Sequence, residues 1–355
     1  MKNIGRTYLK SIATVILTGS FLCVGPLSAG PLTKRLEPRQ PIFAKMLPLT
    51  ISQSGSYYLA ESISTSGGGI TIAASGVTID LNGFTLEGGA GSGITTTGTP
   101  FGIVIQDGTV SRWPGWGIDL TGTLDGEILN VRVERNGNGL RLYQSSVIRG
   151  CFVGRNTGIG IQTGVDALVS DSVVSDSTDT GLIAGAGSIV RRTIIQGNDP
   201  DGVWLQEGAQ LLNSTVKSNH GHGVNATGDS VVIRNNTVQG NGHDGIYVGG
   251  NYSLVTGNLC VSNGVISDDS AGIRLVGIHN RADDNDVKNN DIGIFIAGEN
   301  NVLARNTMDG NTQPWGRDPA VTKWLFRIWT VASPDPPNAW DNIEDGSLQI
   351  PPRPD

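Results

Sequence analysis

Cysteine, long apolar runs, leucine patterning and positive charge are all in short supply, and each shortage narrows the class. Only 3 of 355 residues are cysteine. Cys23 lies inside an apolar leader, with Leu22 where a lipid-attachment box needs a small residue, and reads as signal interior. Cys151 and Cys260 fall on different rows of the repeat, five repeats apart, roughly 24 Å at the spacing of stacked strands. No disulfide closes that gap. The apolar stretch Ile12 to Val24 is too short to span a bilayer. Without a Leu-x-x-Leu-x-Leu pattern and with few helix formers, a leucine-rich repeat is excluded, and the calcium-binding nonapeptide repeat is absent as well.

Charge points the same way. The chain carries 25 Lys and Arg against 32 Asp and Glu, net −7. Residues 1–29 read as a secretory signal: Lys2, Arg6 and Lys10, the apolar stretch, then Leu27-Ser28-Ala29. Removing its three basic residues leaves 22 against 32, net −10. That balance argues against nucleic acid as a partner. It weakens a polyanionic substrate without excluding one, because exposed charges are screened beyond about 10 Å.

What the chain has in abundance is glycine, 51 residues. A glycine followed by alternating apolar residues returns about every 21 positions, as in Gly102-Ile103-Val104-Ile105, Gly202-Val203-Trp204-Leu205, Gly245-Ile246-Tyr247-Val248 and Gly293-Ile294-Phe295-Ile296. About four residues before the next glycine stands an asparagine: Asn136, Asn156, Asn198, Asn219, Asn241, Asn263 and Asn290, with Ser177 once in its place and Asn311 last. Five residues upstream runs a second polar row, Ser172, Thr193, Ser214, Asn236, Asn258, Asn285 and Asn306. Between them lie β-branched runs of strand character. Glycine and asparagine interrupt these runs where positive φ is expected.

Fixed-period self-similarity means stacked units, none able to bury its apolar face alone. Three short strands per unit make the coil of an all-β, single-domain, right-handed parallel β-helix of about 11 coils. Its asparagines stack inward and hydrogen-bond the turn backbone. The expected layout is a signal over 1–29, an extended leader over 30–47, the β-helix over 48–311 with opening strands, and a Trp- and Pro-rich cap over 312–355. The cap covers the open end, where bare strand edges invite aggregation. The run Val77-Thr78-Ile79-Asp80-Leu81-Asn82-Gly83, behind the strands Tyr57–Leu59 and Ile70–Ile72, resembles the opening of pectin-lyase-like β-helix proteins. That resemblance implies the fold and leaves the activity open, since the architecture hosts lyases, hydrolases, epimerases and adhesins.

Chemistry on such a scaffold needs side chains from neighbouring coils at one edge. Between the asparagine and the next glycine the coils read Asp199-Pro200-Asp201, His220-Gly221-His222 and Gly242-His243-Asp244. Three of the chain's 4 histidines fall there. Asp201 and Asp244 both precede the repeat glycine, two coils and about 9.6 Å apart, near the 6.5–9.5 Å at which inverting glycosidases hold their carboxyls. His222 lies between them, and Asp199 and His243 flank the pair. Two residues after each glycine the outward row reads Ile183, Trp204, Asn225, Tyr247, Arg274 and Phe295. Trp204, Tyr247 and Arg274 there suit a sugar-stacking floor.

Asn198-Asp199-Pro200-Asp201-Gly202 is similar to the Asn-Thr-Asp-Gly motif of polygalacturonases. Gly221-His222-Gly223 matches their Gly-His-Gly, and Gly272-Ile273-Arg274-Leu275 resembles the coil bearing their Arg-Ile-Lys. The resemblance implies aspartates that activate water and protonate the leaving oxygen, with histidine positioning the sugar. It departs in having no Asp-Asp coil between Asp201 and His222, and Val276 in the lysine place.

The functional expectation is therefore a secreted monomer (extracellular, periplasmic or on the cell surface) that binds a polysaccharide along the 199–274 edge. If it is an enzyme, the expected reaction is inverting hydrolysis by Asp201 and Asp244, with His222 assisting. One alternative is a non-catalytic surface or adhesion scaffold. Another is a uronate lyase or epimerase using Arg274 or a histidine beside a calcium-neutralised carboxylate, which the sequence supports with no clear Lys/Arg cluster. No cofactor is required. Calcium is an optional ligand, for which Asp283-Asp284-Asn285-Asp286 supplies oxygens, although Asn285 belongs to an inward row. Neither nucleic acid nor a membrane span is expected.

Overall fold

The computed structural model describes residues 39–266, 269–325, 328–330 and 342–344. The signal segment and residues 30–38 of the leader lie outside them, as does most of the expected cap.

Alternating β-branched runs broken by turns form three parallel faces. Among the described residues face I holds 13 strands, from Leu49–Ile51 to Gln313–Arg317, somewhat more than the 11 coils expected. Faces II and III, exemplified by Val147–Arg149 and Phe152–Gly154, form together one sheet of 26 strands among the described residues. They are joined because Val104–Ser111 and Glu127–Glu134 run unbroken across both. The register on face I advances by one coil at a time: Val203 pairs with Val224, Val224 with Ile246, Ile246 with Ile273 and Ile273 with Ile294. The wider step from Ile246 to Ile273 accommodates an inserted turn beside the coil of Asp244.

Every other strand residue points inward. Leu182, Val203, Val224, Ile246, Ile273 and Ile294 stack in one row at 0 % exposure, and each such aliphatic contributes about 1.5–3 kcal/mol relative to leaving it in water. Polar rows fill the corners. Asn219 donates from its backbone N–H and Nδ2 to Asn241 Oδ1, both at 3.0 Å, and receives the same pair from Asn198. Asn236, Asn258, Asn285 and Asn306 repeat the pattern in the second row. A third, unforeseen row links Ser253, Asn280 and Asn301.

Two expectations change. The repeat glycines are not at positive φ. A Cβ on Gly202 would meet Gly223 O and Asn219 Nδ2, each at 2.6 Å, so glycine is required there by the close approach of the next coil. Left-handed backbone instead falls one residue before the inward asparagine, at Asp176, Gly197, Ser218 and Gly240. Gly102 also leaves its assigned row. It turns at φ 63 into the long strand spanning faces II and III, and the glycines that stack before Gly117 are Gly93 and Gly69, through the pairing of Ile118 with Ile94 and of Ile94 with Ile70.

At the ends, Gln40–Ile42 of the leader pairs with Tyr57–Leu59. Gln313–Arg317 pairs in register with face I, so the coils run past residue 311. Cys151 and Cys260 are buried and free. Among the described residues no helix is long and apolar enough to cross a membrane.

Candidate functional site

The residue immediately before each face I glycine lies at the corner where a turn meets the sheet. Register places Asp201, His222 and Asp244 there on three successive coils. The outward row beside them is Trp204, Asn225, Tyr247, Arg274 and Phe295. The structure thus brings the sequence-derived site residues onto one edge.

Each carboxylate first serves the backbone. Asp201 Oδ1 accepts the His222 N–H at 2.8 Å, and Asp244 Oδ1 accepts the Ala271 N–H at 2.6 Å. Asn138 does the same for Ile159 at 2.9 Å, so an amide suffices for this cap. The negative charge of Asp201 and Asp244 is surplus to it.

That charge is placed differently at the two sites. Asp244 is 4 % exposed and held by Arg274 Nε, 3.0 Å and 2.9 Å from its two oxygens. Arg274 also donates to the Asp269 carbonyl and lies over the Phe295 ring, 4.6 Å from its centroid. Asp201 is half-buried and accepts Asn225 Nδ2 at 2.8 Å on its other oxygen. Asn225 is a partner that the sequence did not single out. Its outward register beside Asp201 was the available signal.

His222 occupies the space between the two carboxylates. Its Nδ1 is 3.4 Å from Asp244 Oδ2, without the alignment of a hydrogen bond, and is buried with no other partner. Its ring lies 5.0 Å from that of Tyr247 and 5.6 Å from that of His243. Burial holds the His222 imidazole below its ordinary range, outweighing the upward pull of Asp244 and Asp201, while His243 and Arg274 add to the lowering. The ring is therefore neutral at neutral pH. A Nδ1–H turned to Asp244 leaves Nε2 with its lone pair as a base.

Trp204 is 39 % exposed and donates Nε1–H to Thr227 Oγ1 at 2.6 Å. Asp199 stands exposed at the start of its turn. The Asp283–Asp286 run does not converge. Asp283 is buried between Arg281 and Arg305, Asn285 lies in the inward row, and Asp286 pairs with Lys288. Among the described residues no three His, Cys, Asp or Glu side chains group as a metal site would need.

Comparison with known proteins agrees with this architecture. Residues 201–315 match the family model described as a right-handed beta helix region. The protein is a right-handed parallel β-helix. Its structure is similar to the A-module of mannuronan C-5 epimerase AlgE6 from Azotobacter vinelandii, with 15 % identity, a TM-score of 0.59, and 84 % of this chain and 92 % of that chain covered. It is also similar to DFA-IIIase from Arthrobacter chlorophenolicus A6, with 13 % identity, a TM-score of 0.55, and 76 % and 88 % covered. At such identities the likeness is one of fold. No curated protein matches the sequence.

Proposed function

We propose that this is a secreted, polysaccharide-active β-helix protein that binds its polymer along the 199–274 edge and transfers protons there. The observation that carries the reading is the stacking of Asp201, His222 and Asp244 on consecutive coils beside Trp204, Tyr247 and Arg274. A neighbour named for epimerising mannuronan lends weight to a carbohydrate substrate.

The assigned reaction is glycosidic hydrolysis with inversion. Asp244, anchored by Arg274 and the Ala271 N–H, orients His222, and this pair takes a proton from the attacking water. Asp201, the more exposed carboxyl, takes up a proton from solvent as substrate displaces its Asn225 contact and gives that proton to the leaving oxygen. Tyr247 and Trp204 offer ring faces to the sugar. Asp199 and His243 flank the centre and tune its field. This reaction requires no cofactor.

A second reading draws on the neutral state of His222. A neutral imidazole beside a carboxylate also suits proton abstraction next to a sugar carboxylate, the step of a lyase or epimerase, in which calcium would neutralise the acid.

Asp201→Asn is the informative variant, because an amide keeps the backbone cap. Reducing-end release on pectic, alginate and neutral glycans is expected to fall by about 10²–10⁴-fold, and unchanged turnover removes Asp201 from the mechanism. Ultraviolet absorbance from an unsaturated product, or inversion at C5 read by NMR, selects proton abstraction by His222. Binding without turnover on every glycan selects a non-catalytic scaffold.

A further inference from the structure

The left-handed position that precedes each inward asparagine forms a row of its own. From Asp176 onward it holds residues suited to positive φ: Asp176, Gly197, Ser218, Gly240, Ser262, Asn289 and Gly310. The three coils before that hold Arg112, Arg135 and Arg155, at φ 60, 59 and 56. A long side chain gains nothing from left-handed backbone, and strain of this kind points to a retained side-chain role.

Pairing within the protein supplies that role elsewhere. In the parallel row at the other corner, Arg192 and Arg305 are also left-handed, yet each is matched two-pronged to an aspartate of the preceding coil, Asp171 and Asp283. The Arg112 row lacks such matching. Arg112 meets Glu87 at 2.8 Å. Arg132, Arg135 and Arg155 share the single Glu134 carboxylate at 2.9, 3.4 and 3.5 Å. Arg132 is further fixed by stacking 4.0 Å over the Phe152 ring. Four guanidiniums thus stand over two carboxylates, a local positive excess in a chain of net charge −7. All four side chains are roughly half exposed. Asp176, next in the row, ends the basic run.

Two of these arginines, Arg112 and Arg135, border an open cleft of about 420 Å³ that is also lined by Trp113, Pro114, Gly137 and Thr157. The cleft lies along the same corner of the coil as the Asp199–Asp201 turn. Arg155 precedes that coil by two strand spacings, about 9.6 Å.

We infer that the Arg112–Arg135–Arg155 row, with Arg132, is a binding site for anionic groups carried on successive units of a polysaccharide. The planar fork of arginine fits a carboxylate or sulfate ester on two points, and one guanidinium per coil presents such a fork at each strand spacing. That this polymer continues to His222 rests on the function proposed above. The anion site rests on its own geometry.

Calorimetry on the full chain tests it, with an oligogalacturonate, its neutral methyl ester, a sulfated oligosaccharide and a single-stranded oligonucleotide of equal charge as probes. The variant is Arg135→Gly with Arg155→Gly, which the backbone accepts because Gly197 and Gly240 occupy the same row. Affinity for the acidic sugars should fall by about tenfold or more, the ester should bind weakly to both proteins, and binding should weaken with salt. Preference between uronate and sulfate identifies the anion. Arg135→Lys with Arg155→Lys should recover part of the loss. Unchanged affinity in the glycine variant, equal binding of the ester, or tighter binding of the oligonucleotide overturns the assignment. Turnover in Asp201→Asn and anion affinity in the glycine variant are separate readouts, so a failure of the catalytic reading and a failure of this site are told apart.

Discussion

His222 shows how a single residue ties this site to pH. Its folded-state proton affinity is lowered by burial from an ordinary value of 6.5, so the unfolded chain takes up the proton first as pH falls. Stability at this residue is complete above about pH 6.5 and is lost as pH drops through that value toward the folded one. His222→Gln should flatten the fall in melting temperature between pH 7 and 5 relative to the parent. A parallel fall in both proteins would refute the assignment. Cysteine chemistry follows from burial in the same way. Burial pushes the Cys151 thiol up to about 11, and Cys260 higher still. Both should resist alkylation in the native protein and react once it is denatured, as mass spectrometry of native and denatured samples would show. At this scale the sequence was read unevenly. Asp201, His222 and Asp244 were found because they share one offset from a visible glycine. Arg135 and Arg155 immediately precede inward asparagines, and Arg112 precedes Trp113 in the same row; all three lie outside the turn between asparagine and glycine where chemistry was expected.

The rows are the elements that hold the coils together, and their weak rung is visible. Asn219 both accepts from Asn198 and donates to Asn241. Asn219→Ala leaves a buried N–H and an amide without partners, at a cost of about 3 kcal/mol, measurable as a shift in the urea midpoint. Ser177 stands in the same row with its buried Oγ unpartnered. Ser177→Asn should lengthen the row and stabilise the protein by about 1 kcal/mol. A loss of stability would mean that the corner near Gly160, whose Cβ position lies 3.0 Å from Ser177 Oγ, has no room for the amide. The first two rows were legible because asparagine recurs at fixed spacing. The row of Ser253, Asn280 and Asn301 was not, because its earlier rungs carry alanine, serine and valine.

For the whole molecule, parallel pairing between neighbouring coils was legible from period alone, since only a stack converts a return every 21 residues into burial. The ends were less so. Gln313–Arg317 keeps the face I register although Pro314 stands in the glycine's place, and Gly102 imitates the repeat while serving a turn. Each coil touches only the next, and both described cysteines are free. Reducing agent should therefore leave the melting temperature unchanged, which a thermal scan with and without it would check.

The constant rise per coil makes the molecule a graduated scale. The proposed grip on a polymer and the proposed point of reaction are set apart by a whole number of increments, and duplicating one segment of about 21 residues between Arg155 and Asp201 would lengthen that interval by one graduation without altering either end.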